Sequence, residues 1–138
     1  MQWKSEPNRV AWVDASTGYP CLIRRARAGF LCGYVAVPPS HPWFERGYSD
    51  EPVYNVEVHG GLTYAAHCDG DEGNGICHRP EPGSPDNVWW FGFECDHAFD
   101  LVPRDYEEGF AIQGDIYRDI QYVTKEVRSL ADQLAEVK

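Results

Sequence analysis

Positive charge is scarce in this chain: 12 Lys and Arg stand against 22 Asp and Glu in 138 residues, a formal net charge of −10. Affinity for duplex nucleic acid comes mainly from cations that neutralise phosphates, so the balance argues against a double-stranded nucleic-acid partner. The one small cluster, Arg24, Arg25 and Arg27, suffices for a single anionic group and not for a polynucleotide. Long apolar runs are missing too. No stretch approaches the roughly 18 residues that would span a bilayer, which argues against a membrane partner. The opening M-Q-W-K-S-E-P-N-R-V lacks the apolar centre of an export signal, and a cytoplasmic protein is expected. There is no internal repeat, and no segment carries a nucleophile elbow or a nucleotide-binding loop of fixed spacing.

Cysteine is present but odd in number. Cys21, Cys32, Cys68, Cys77 and Cys95, without an export signal, favour free thiols or metal ligation over a disulfide framework. Oxidation could still join Cys68 to Cys77 across their Gly-rich loop. At this length, residues 1–138 form one expected domain whose core needs neither disulfide nor metal. Aromatic content of 14% with a single Met points to a rigid interior.

What is there concentrates in Val88–Asp100, V-W-W-F-G-F-E-C-D-H-A-F-D. A period of two places Trp89, Phe91, Phe93 and Cys95 on one face of a strand, as a core stripe. Val88, Trp90, Gly92 and Glu94 fall on the other. A glycine inside a strand often marks close approach of a ligand or another backbone, so Gly92 between Trp90 and Glu94 reads as a recess, or else as a second buried face under a helix.

Elsewhere, residues 20–37 read as a hairpin turning near Ala28-Gly29 and stopped by Pro38-Pro39. Residues 38–52 form a Pro- and aromatic-rich surface loop. Val53–His59 alternates Tyr54, Val56 and Val58 with Asn55, Glu57 and His59 and is expected as a strand. Gly60-Gly61 then turns the chain into a short strand L-T-Y-A-A, and residues 67–87 form a long irregular loop. Ile116, Ile120, Val123, Val127, Leu130, Leu134 and Val137 make a heptad seam, so residues 115–137 are expected to be a helix capped by Asp115. That seam either joins subunits as a homo-oligomer contact, the favoured reading, or lies on the domain's own sheet.

Three constellations offer chemistry. His59, Cys77, His78, Cys95 and His97 are candidate zinc ligands, although adjacent and one-residue gaps are unlike the usual two-residue spacing. The acidic run Asp69–Gly75 fails as a calcium loop, since its fifth position is Gly73 and its twelfth is Pro80. In H-G-G-L-T, Gly60 and Gly61 can point amides at an anion while His59 and Thr63 flank them; a plain hairpin turn needs the same glycines. If His59 and His97 share a cavity they can serve as acid and base, with Asp100 orienting His97.

The segments H-G-G-L-T, I-C-H-R-P-E-P-G-S-P-D, V-W-W-F-G-F-E-C-D-H and Y-R-D-I-Q-Y-V-T-K-E-V resemble a family of short hypothetical proteins of bacteriophages and bacterial genomes. The likeness covers residues 34–137. It implies a setting in which host signalling nucleotides are bound or destroyed, and no activity; where the family pattern leads one to expect Gly, this chain has Phe99.

Together these readings predict an α+β fold: an antiparallel sheet of about five strands, long loops, and one C-terminal amphipathic helix. Three functions stay open. The first is binding of a small anionic, nucleotide-type ligand, with Trp90 stacking, His59, Gly60, Gly61 and Thr63 holding the anion, Glu94 nearby, and Arg24 or Arg79 adding charge. The second is a hydrolase using His59, His97 and Asp100, with or without zinc on Cys77, His78, Cys95 and His97. The third is an interaction protein that uses its terminal helix.

Overall fold

The fold is that of a computed structural model, which describes residues 2–69, 75–78 and 87–138. Five strands, β1 (Arg9–Val13), β2 (Pro20–Arg25), β3 (Leu31–Val37), β4 (Tyr64–His67) and β5 (Trp89–Glu94), form one antiparallel sheet in the order β1-β2-β3-β5-β4. A short helix α1 (Pro103–Glu107) and a long one, α2 (Ile120–Ala135), follow. The α+β class is as expected, and no helix among the described residues is long and apolar enough to cross a membrane.

Strand alternation sorts the core. Ile23, Val35, Phe91 and Phe93 face the side covered by α2, whose Val123, Val127, Leu130 and Leu134 are fully buried against it. The expected oligomer seam is therefore corrected: these side chains pack on β2 and β3 of their own chain and leave no apolar stripe for a second copy. Ile120 and Val137 pack at its margins, while Ile116 lies outside the helix.

Trp90, Leu22, Cys32, Tyr34 and Ala36 face the opposite side with Ile76. Its recess is filled by the chain itself. A Cβ on Gly92 would lie 2.3 Å from Cδ1 of Tyr34, its register partner on β3, and Tyr34 meets Tyr64 edge-on at 5.5 Å. Gly92 thus makes room for a neighbouring ring, and among the described residues no helix covers this face.

Two boundaries move. Val53–His59 is not a strand: Val53–Asn55 is a 3-10 turn that buries Val53 and Val56, three residues apart, and leaves Tyr54 exposed. The fifth strand is β1 instead. Helix α2 starts four residues later than expected, capped by Asp119, whose carboxylate accepts from the Tyr122 amide at 2.9 Å. Asp115 caps the preceding turn by accepting from the Ile112 amide.

Candidate functional site

The Gly-Gly bend and the end of β5 do meet. His59 and His97 have ring centroids 6.0 Å apart. Gly60 has φ +70°, and a Cβ there would come within 2.3 Å of Nε2 of His97, so only glycine lets the turn lie against that imidazole.

Beneath them lies Asp100, whose side chain has no exposed surface. Its Oδ2 accepts from Nε2 of His59 at 2.7 Å and from the His97 amide at 3.0 Å; its Oδ1 accepts from Nε of Arg118 at 2.9 Å. Burial pushes the carboxyl up, yet the bonds from His59, Arg118 and the His97 amide outweigh it and hold Asp100 below the usual carboxylate range. Arg118 is in turn held more firmly protonated by its bond to Asp100. On the far side of His59, Nδ1 lies 2.7 Å from the hydroxyl of Tyr122, whose ring stacks under the Arg118 guanidinium at 5.0 Å. Burial raises the Tyr122 hydroxyl's affinity for its proton. The run Arg118–Asp100–His59–Tyr122 is continuous and satisfied at each heavy atom named. Asp100 thus orients His59 rather than His97, and Nε2 of His97 is buried without a hydrogen-bond partner.

Sequence reasoning named three of these residues and missed Arg118 and Tyr122. The signal available was their spacing of four across the helix start expected at residue 115, off the apolar seam.

Other expected ligand residues lie apart. Trp90 is fully buried among Leu22, Tyr34 and Ile76, so no ring face is open for stacking. Arg24 sits on that same side of the sheet, near the Tyr34 hydroxyl. The Thr63 amide extends the β4–β5 ladder onto the Gly92 carbonyl, and its hydroxyl lies 3.4 Å from Glu94. Arg79 lies outside the described residues.

The zinc set does not assemble either. Cys77 is joined to Cys68, and Cys95 is buried in the core under α2 with its thiol pushed up by burial and by Asp100. His78 has partners of its own. Among the described residues, no three His, Cys, Asp or Glu side chains are grouped to hold a metal.

Beside the network the segment from Asp96 to Ile116 forms a groove. A cavity of about 330 Å³ is lined by Asp96, His97, Phe99, Asp105, Ile112 and Asp115, among others, and one of about 410 Å³ continues from it past the same Ile112 and Asp115 to Tyr106. Among the described residues, no Lys or Arg lines either. Asp100 positions this segment: its backbone bridges Ile116, with the Ile116 amide donating to the Phe99 carbonyl and the Leu101 amide to that of Ile116, both at 2.8 Å. No known family model, curated protein or solved structure matches the chain.

Proposed function

We infer that the protein is an interaction module whose groove along residues 96–116 receives a basic, apolar segment of a partner protein. One observation carries this reading. Among the described residues eight large apolar side chains are exposed, and five of them, Phe99, Tyr106, Phe110, Ile112 and Ile116, fall within this one segment at 43 to 75% exposure. Contiguous apolar surface on a soluble protein marks a contact site more often than scattered exposure does. The carboxylates of Asp96, Asp105 and Asp115 line the same groove with no Lys or Arg among its described lining residues, which selects Lys or Arg on the partner. A second copy of this acidic chain would be repelled, and a small cation would leave the apolar side chains uncovered.

The test is a titration with a synthetic amphipathic peptide of Leu and Lys, followed by amide chemical shifts. Shifts confined to residues 96–116, and abolished in a Phe110→Ser, Ile112→Ser variant, are expected. Shifts spread over the whole surface, or equal shifts with spermine, would overturn the reading.

A second reading, acid–base hydrolysis, is supported by the order Tyr122–His59–Asp100. With Nε2 donating to Asp100, Nδ1 of the neutral ring accepts the Tyr122 proton, an arrangement that fixes the imidazole tautomer and polarises the hydroxyl. In that case Tyr122→Phe abolishes turnover of a substrate found by screening phosphate and carboxylate esters, while leaving the fold intact.

A further inference from the structure

Another cavity, of about 340 Å³, opens where the N-terminal turn meets the β2–β3 turn and α1, lined by Trp3, Lys4, Arg27, Arg104 and Glu107 with Gly29 at its back. Three of the chain's 12 Lys and Arg side chains thus meet at one place on a protein of net charge −10. Glu107 answers one of them, its carboxylate lying 3.5 Å from Nζ of Lys4. Arg27 and Arg104 make no side-chain hydrogen bond or ion pair among the described residues. The neighbouring Arg25 differs: its guanidinium is bound to the Gly29 carbonyl, the Tyr117 hydroxyl and Asn8, and faces Glu6 at 3.7 Å. It belongs to the wall. Arg27 and Arg104 thus line one cavity with no protein partner among the described residues on either guanidinium, and Arg is the side chain suited to gripping phosphate oxygens.

Trp3 gives a second, independent observation. Its ring packs against Tyr106 at 5.7 Å and Tyr117 at 5.2 Å, and its indole N–H is buried with no acceptor. The ring also lines the cavity, so that a bound molecule meets an aromatic wall held in place by two tyrosines.

We propose that this cavity binds a small phosphate-bearing ligand, with Arg27 and Arg104 on the phosphate and the Trp3 ring as a wall beside it. Its size lies near the lower end of small-molecule sites, which start at about 300 Å³, and suits a phosphomonoester or free phosphate rather than a long polyphosphate. The site owes nothing to the docking groove. It also places the anion away from His59, where the surrounding carboxylates disfavour it.

Proton–nitrogen spectra of the full chain, titrated separately with adenosine 5′-monophosphate, inorganic phosphate and adenosine, test this. The Trp3 indole signal and the amides of Arg27 and Arg104 are expected to shift with the monophosphate. Phosphate alone binding equally would identify free phosphate as the source, and tighter monophosphate binding a phosphomonoester. Both guanidinium groups are exposed, so Arg27→Gln and Arg104→Gln retain the fold, and each is expected to weaken binding about tenfold, the loss of one charge-assisted contact. No shift with either phosphate compound, adenosine binding as tightly as its monophosphate, or affinity unchanged in both variants would overturn the proposal.

Discussion

Asp100 Oδ2 lies 2.7 Å from Nε2 of His59 across 41 residues of sequence, and this contact ties the Gly-Gly turn to the segment that carries the groove. Asp100 is buried and serves three donors at once, so replacing its carboxylate by an amide removes the charge and turns one of the two acceptor oxygens, which face His59 and Arg118, into a donor.

Asp100→Asn should destabilise the protein by about 3 kcal/mol at neutral pH, the scale for breaking one side of a buried ion pair. The sign of the pH effect follows from the depressed folded-state value. Between that value and the unfolded one, about 3.9, the unfolded chain binds more protons, so stability rises with pH. The contribution is complete above the unfolded value and is lost as pH falls through the folded one. Urea midpoints for the wild type and Asp100→Asn should accordingly converge in acid; parallel curves down to the acid limit would refute the assignment.

Phe99 occupies left-handed backbone at φ +73° with its ring in solvent. An L side chain there costs about 1–2 kcal/mol, whereas glycine's extra freedom in the unfolded chain returns about 0.4–1 kcal/mol of that. Phe99→Gly should therefore raise the melting temperature slightly, and Phe99→Ala, which keeps the strain, should not. Both should weaken docking of the amphipathic peptide. Equal thermal behaviour of the two variants would count against the strain.

Gly92→Ala should cost about 2 kcal/mol, since the new methyl overlaps the Tyr34 ring. The same change in a Tyr34→Ala background should be much milder. Thermal unfolding of the four proteins in this cycle gives the coupling directly, and additive losses would mean that the ring is not what requires the glycine.

Much of this was legible in the residues. The alternation through Trp89–Glu94 gave both faces of β5, whereas the meeting of His59 with His97 entered only as a condition on the fold, which the tertiary structure meets. Where the reading failed, local pattern was ambiguous and a distant residue decided. Asp115-Ile116 and Asp119-Ile120 are equivalent helix starts in sequence. Ile116 is drawn into pairing with Asp100, and the Ile120 amide is met by Glu6 at 3.0 Å, so the helix begins at the second. Val53–His59 alternates on paper, but burial of Val53 with Val56 uses a spacing of three. Strand β1 escaped notice because only Val10 and Trp12 of its five residues face the core. Trp90 looked like a stacking platform because sequence cannot say that Tyr34 already fills the space over Gly92.

Cys77 cannot serve a metal while bonded to Cys68, and the two alternatives respond oppositely to simple reagents. Closing a loop of nine-residue separation restricts the unfolded chain by about 2.7 kcal/mol. For a chain of this length that corresponds to roughly 5–10 °C in melting temperature. Dithiothreitol, or Cys77→Ser, should lower the transition by this much, and a chelator should leave it unmoved. The buried thiols of Cys21, Cys32 and Cys95, all pushed up by burial, should stay unreactive toward a thiol reagent until the protein unfolds. A transition lowered by chelator and indifferent to reductant would reverse the argument, because it would require Cys77 to be a thiolate ligand and return the zinc reading in place of the disulfide.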